Sequence, residues 1–270
     1  MAKSTDQLSG LDYEIPVPKT FDRILETDFD FREIWSYTRL TFFYQKILGY
    51  NKNIRISMQR KEPKAMSLIS DVERLYDQII NEQLMTAKAV YQFFPAYSKG
   101  NSIFIEQSKN NTLELNLPRQ QKEPFLCLSD YLRTENDNMG FLVGTAGSEI
   151  INYAKKIEIE GQYKDAFILQ GIALSTAEAL TEMIHHKMRQ FWELPEPEWD
   201  VKRGPPRKYQ GQRYSFGYPA CPNMDDQKLI WDLLHPEDIE ISLTESFMMQ
   251  PEASVSCLIF HHPKAKYFNV

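Results

Sequence analysis

The loop Arg213-Tyr214-Ser215-Phe216-Gly217-Tyr218-Pro219-Ala220-Cys221-Pro222 gathers one guanidinium, three aromatic rings and residues suited to tight bends. Such a loop meets a small zwitterionic ligand more readily than it builds a core. A second polar group recurs upstream at Glu178, Glu182 and His185, at spacings of four and three. On a helix these residues form one track, and a rigid element could present several ligand contacts at once. Taken singly, each is more often the half-exposed face of a packed helix. The five histidines do not suggest a metal centre, because His185-His186 diverge on a helix and His261-His262 alternate across a strand end. No acidic pair has a persuasive glycosidase arrangement, and no serine-centred nucleophile motif stands out.

The elements that must position these residues follow from periodicity. Apolar residues Phe167, Leu174, Ala177, Leu180, Ile184 and Met188 predict one long helix from about 162 to 191. Further helices are expected over Phe31–Tyr44 and Ser67–Val90, the second ended by Phe93-Phe94-Pro95-Ala96-Tyr97. Alternating runs at 102–106 and 113–117 predict a hairpin, and residues 124–133 a turn-rich or short helical region. Phe141–Ala146 reads as a buried strand, and 239–243 and 254–260 as strand-like. Asn223 or Asp225 is placed to cap a helix carrying Leu229, Ile230, Leu233 and Leu234. Helices and strands without regular βαβ spacing favour an α+β fold. Residues 1–20, with Pro16 and Pro18, are expected to form an extended lead-in to a domain over 21–270.

Composition narrows the function classes. A 270-residue chain with 42% hydrophobic residues can bury an ample core. Its formal net charge of −6 offers no broad positive field for phosphate contacts, so no nucleic-acid partner is expected. The basic run Lys202-Arg203-Gly204-Pro205-Pro206-Arg207-Lys208 reads as a solvated linker. No apolar stretch approaches the roughly 20 residues of a bilayer span, and the N-terminus lacks the apolar core of a secretory signal. Cys127, Cys221 and Cys257 form no closely spaced pair, which fits a reduced, cytoplasmic setting.

The C-terminal third resembles the activation, or S-adenosylmethionine-binding, domain of cobalamin-dependent methionine synthase. The resemblance is carried by Arg213–Pro222, then Leu243-Thr244-Glu245-Ser246-Phe247-Met248-Met249, Pro251, Ala253-Ser254-Val255-Ser256, Phe260, His262-Pro263 and Tyr267-Phe268. Weaker matches upstream, at 37–43, 93–96 and 177–189, extend it over most of the chain. It implies a single elongated α+β module with a twisted antiparallel sheet and surrounding helices. The family's cobalamin-ligating Asp-x-His-x-x-Gly pattern does not occur here.

The resemblance also implies a site. Arg213 falls at the position that holds the methionyl carboxylate, for which a guanidinium supplies a rigid fork. Gly217 lets the loop backbone approach the ligand, and Tyr218 supplies a ring and a polar edge. Glu178 occupies the position that accepts hydrogen bonds from the nucleoside hydroxyls, and Tyr267 an aromatic position near the sulfonium. One departure stands out. The family's Tyr-x-Asp-Trp-x-Pro-Phe segment, whose aspartate receives the ligand ammonium, here reads Tyr37-Thr38-Arg39-Leu40-Thr41-Phe42-Phe43. Arg39 reverses that charge and cannot accept such a bond, so binding is expected to be weakened, completed from elsewhere, or lost.

These implications converge on an accessory subunit, inactive alone, for a separate cobalamin-binding methionine synthase. It would bind S-adenosylmethionine while the partner holds cobalamin, and a flavodoxin-like donor would supply the electron for reactivation. Two alternatives compete with it. One is a corrinoid-protein docking module without S-adenosylmethionine binding, and the other is an activator in a different methyl-transfer pathway.

Overall fold

Asp137–Thr145 (β5) and Ser254–Phe260 (β9) are buried along their whole length, and they pair antiparallel at the centre of the sheet. The computed structural model describes residues 13–197, 205 and 208–270. Residues 1–12 of the expected lead-in, and the basic run 202–208 apart from Pro205 and Lys208, lie outside the described residues. The sheet also holds Ile24–Glu26 (β1), Lys88–Lys99 (β2), Ser102–Ser108 (β3), Asn111–Asn116 (β4) and Gln212–Ser215 (β6). Its order is β4-β3-β2-β5-β9-β6, with β1 also on β2, and every pairing is antiparallel. The α+β expectation therefore holds.

Strand alternation divides the core in two. Met139, Phe141, Val143, Leu258 and Phe260 face one side, where Gln227–Leu234 (α7, numbered in chain order with the helices below) packs through Leu229, Ile230, Leu233 and Leu234. Leu142, Cys257 and Ile259 face the other, against Leu180, Ile184 and Met188 of the long helix Tyr163–Phe191 (α6). The first half of α6 leaves the sheet. Its Leu169, Ile172 and Ala173 join a helical core with Pro63–Asn81 (α4) and Glu149–Ile159 (α5). One helix thus belongs to two cores and fixes their relation. By length and composition α6 could cross a membrane, contrary to the reading of the linear sequence. However, 78% of its most apolar stretch is buried inside the protein.

The expected helix at 67–90 is corrected by the structure. Here α4 stops at Asn81, Gln83 takes a positive φ of 52°, and β2 begins at Lys88. Ala87 and Ala89 favour helix locally, but Val90-Tyr91 and Phe93-Phe94 favour strand, and register with β5 from Lys88↔Thr145 to Ala96↔Asp137 carries the strand back over Ala89. Pro95 sits within β2 rather than at a helix end. It falls between the parts of β2 that β1 and β3 cover, where a missing N–H costs no ladder bond on that edge.

The expected helix over 31–44 is also interrupted. Phe31–Ser36 (α1) ends at Tyr37, and the chain re-enters helix at Leu40–Phe42 (α2), which continues as a π-helical turn, Phe43–Ile47. The short helix Ile54–Gln59 (α3) follows, capped by Asn53. Of the expected strand 239–243, only Ser242–Leu243 (β7) is extended, paired with Met249–Gln250 (β8). Pro236–Ile239 instead forms a 3-10 turn. The 102–117 hairpin, the long helix and the 254–260 strand match their expected places. Phe167 and Leu174, expected on the apolar side of α6, are exposed.

Gly171 allows the π-helical turn to lie on α6. A Cβ there would stand 3.0 Å from Ile47 Cγ2 and from Leu48 Cδ2. Gly171→Val is expected to lower unfolding free energy by about 1–3 kcal/mol through overpacking, read as a reduced urea midpoint. An unchanged midpoint would show that this approach carries no strain.

Candidate functional site

In β6, Arg213 pairs with Ile259 and Tyr214 with Leu258. The same alternation that sends Tyr214 into the α7-side core turns Arg213 toward α6. There Arg213 Nη1 donates to Glu182 Oε2 at 2.5 Å, and its Nη2 lies 3.6 Å from Glu178 Oε2. Tyr209 Oη donates to Glu182 Oε1 at 3.0 Å, and Arg39 Nη2 stands 3.7 Å from Glu182 Oε2. Burial alone would raise the Glu182 carboxyl, but the Arg213 charge, with His185, the Arg213 hydrogen bond and Arg39 behind it, outweighs burial and holds the group down at about 2. The carboxylate in turn holds the Arg213 pKa well above its ordinary value despite the opposing effect of burial.

This ion pair closes the inner end of a cleft of about 450 Å³. One wall comes from the interrupted helix, through Tyr37, Thr38, Arg39, Phe42, Phe43 and Ile47. The other comes from α6 through Leu174, Ser175 and Glu178, and Tyr218 and Val255 complete the lining. The walls combine apolar surface with a few convergent polar groups, as small-molecule sites do. Thr38 Oγ1 is buried on this wall and has no hydrogen-bond partner within the described protein.

Arg213, Glu178 and Tyr218 are thus brought together on one cleft. Gly217 and Tyr267 do not line it. Gly217 has a φ of 80°, its N–H donates to Cys221 O at 2.9 Å, and a Cβ would meet Met224 Sδ at 2.6 Å. Turn geometry therefore accounts for this glycine. Tyr267 is 67% exposed, and its ring lies 5.4 Å from that of Tyr214. Glu182 was legible only as part of a polar track, although its four-residue spacing from Glu178 places both on one helix face. Tyr209 and Thr38 carried no sequence signal, because their roles arise from contacts distant along the chain.

His185 lies behind Glu182, fully buried, with neither ring nitrogen hydrogen-bonded within the described protein. Its ring meets Tyr209 edge-on at 5.4 Å, and Arg189 covers the same Tyr209 ring at 4.7 Å. Glu182, Arg213, Arg189 and His186 act electrostatically on it. Burial first, and the Arg213 charge second, lower its pKa from 6.5 to about 3, so the imidazole is neutral near pH 7.

A cleft of this composition, set where a buried ion pair joins a long helix to a sheet strand, defines a small-ligand-binding module of the α+β class. The family "Vitamin B12 dependent methionine synthase, activation domain" matches residues 24–270, and the chain belongs to that family. Methionine synthase of Mycobacterium tuberculosis (strain ATCC 25618 / H37Rv) is 34% identical over 206 residues, covering 69% of this chain and 17% of that protein. Methionine synthase of Mycobacterium leprae (strain TN) is 33% identical over 210 residues, with the same two coverages. The chain therefore spans 17% of the length of these curated relatives. A crystal structure of the MetH reactivation domain bound to AdoHcy aligns with a TM-score of 0.86 and 28% identity, over 95% of this chain and 83% of that one.

The two depressed pKa values separate in pH. Because folded His185 protonates less readily than the unfolded chain, its contribution is intact above pH 6.5 and is lost as pH falls toward 3. The Glu182 contribution is lost only below 4.5, toward 2. Wild-type stability is expected to fall between pH 6.5 and 4.5 by at most about 1.4 kcal/mol per pH unit from this histidine. Urea unfolding of His185→Phe at both pH values should show a flatter slope, and an identical slope would refute a buried neutral imidazole.

Proposed function

We propose that this chain binds S-adenosylmethionine in the cleft and supports reductive methylation and reactivation of cobalamin held by a separate methionine synthase. The observation that carries the reading is the pre-set Arg213 guanidinium at the cleft's inner end, in a family member similar to a domain crystallised with AdoHcy. The residues present fit such a ligand. Arg213 offers its fork to the carboxylate, and half-exposed Glu178 accepts from the ribose hydroxyls. Phe42, Phe43, Ile47 and Leu174 supply apolar surface for the nucleobase, and Tyr218 contributes a ring with a polar tip. Gly217 shapes the loop that presents Tyr218, and Tyr267 stands outside the cleft lining on the side of Arg213 and Tyr214.

When bound, the sulfonium supplies an electrophilic methyl group, and the partner's reduced corrinoid receives it. The chain's own contribution is positioning: it fixes the ligand's charged tail and thereby the direction of the sulfonium. It is an accessory methyltransferase subunit in a reduced cytoplasmic setting, inactive without its corrinoid partner. A flavodoxin-like protein is the expected electron donor.

Calorimetric titration with S-adenosylhomocysteine tests the site. Loss of a charge-assisted hydrogen bond in Arg213→Ala is expected to weaken binding by about 10- to 100-fold, and Glu178→Ala by roughly fivefold. Binding unchanged by both substitutions would overturn the assignment. Mixed with a cobalamin-loaded methionine synthase and a one-electron reductant, the chain should yield methylcobalamin only when S-adenosylmethionine is present. Partner binding without that dependence would favour a docking module.

A further inference from the structure

The inner end of the cleft holds two guanidinium groups, Arg213 and Arg39, beside buried Glu182 and half-exposed Glu178, which lies 3.6 Å from Arg213. Arg213 and Arg39 approach the same oxygen, Glu182 Oε2, at 2.5 Å and 3.7 Å. They arrive from opposite walls, one from β6 and the other from the break between α1 and α2. The second carboxylate oxygen is taken by Tyr209. Arg213 and Tyr209 therefore satisfy Glu182, and the 3.7 Å contact lies beyond hydrogen-bonding distance. The Arg39 side chain is 46% exposed, against 14% for Arg213, and lines the cleft without donating a hydrogen bond to a described residue. Its donors are unspent and face the same volume as the outer edge of Arg213.

We propose that Arg39 is a second carboxylate-binding residue, which grips the ligand's terminal carboxylate together with Arg213 and makes the site discriminate on the carboxylate rather than on the amino group. Both guanidinium groups line the same cleft, so one ligand anion placed at its inner end can reach both. A planar carboxylate suits two such forks. Arg39 gives a ligand ammonium no acceptor and repels it, and Glu178 is engaged by the ribose hydroxyls, so the amino group adds little to affinity. Glu182 acts here as the shared counter-ion that keeps the pair of cations close, and half-exposed Glu178 stands at the outer side of Arg213.

The proposal rests on the reading of the cleft as an S-adenosyl site, and one ligand series separates the two. S-adenosylhomocysteine, its deamino analogue, and 5′-methylthioadenosine, which lacks both tail charges, are titrated into wild type, Arg39→Ala, Arg39→Lys and Arg213→Ala, each checked for folding by thermal melting. The wild type is expected to bind the deamino analogue within threefold of S-adenosylhomocysteine, roughly the span of a weak exposed charge contact. Arg39→Ala is expected to weaken both carboxylate ligands about five- to 20-fold, consistent with one charge-assisted bond at a part-exposed site. It should leave 5′-methylthioadenosine unchanged, and Arg39→Lys should recover part of the loss. If Arg39→Ala leaves S-adenosylhomocysteine binding unchanged or tightens it while Arg213→Ala weakens it, the second clamp is overturned and the S-adenosyl site stands. A deamino analogue bound far more weakly than S-adenosylhomocysteine by wild type also overturns it. If the wild type binds none of the three ligands, the functional reading itself falls, and the clamp with it.

Discussion

Burying a guanidinium and a carboxylate between a helix and a sheet strand removes both ions from water, at a cost of several kcal/mol each. Arg213 and Glu182 offset that cost through a short direct hydrogen bond and the donated hydroxyl of Tyr209. Breaking the pair from either side would leave an uncompensated charge in the interior. The position of β6 relative to α6 is therefore tied to this contact, and so is the shape of the cleft's inner end. His185 sits directly behind it and is kept neutral by the same burial and by Arg213.

The long helix makes this constraint effective. Its C-terminal half packs on the central strands through Leu180, Ile184 and Met188. Its N-terminal half packs in the helical core through Leu169, Ile172 and Ala173. Glu178 and Glu182 lie where the helix passes from one core to the other, so the backbone that carries both is fixed, and buried Glu182 is held in place by its partners as well. A binding group held this way loses little freedom when a ligand arrives, which is the basis of preorganised recognition. The opposite wall is built differently, from an interrupted helix and a π-helical turn that reach α6 where Gly171 has no side chain.

Family membership and local geometry bear on different parts of the site. The family match spans 24–270, and Arg213, Glu178 and Tyr218 converge on one cleft. Gly217 has a sufficient explanation in its positive φ and its approach to Met224. Arg39, a charge reversal in the linear pattern, stands at the cleft within reach of Glu182. In three dimensions the reversed charge already has a carboxylate beside it.

The sequence alone determined what depends on neighbours along the chain. Helical periodicity marked α6, alternation marked β3 and β4, and the Arg213–Pro222 loop with the segments after it marked the family. It also placed Glu178 and Glu182 on one helix face, since a four-residue spacing fixes that in any α-helix. Only the tertiary structure decided that the strand runs from 88 to 99, because pairing with β5 carries it across Ala89 and Pro95. It also decided that the 31–44 helix breaks at Tyr37–Arg39, that Tyr209 and Arg213 share Glu182, and that Thr38 lines the cleft. Each of these arises from groups far apart in the chain, and their energies of burial, pairing and charge exist only once the fold has brought the groups together.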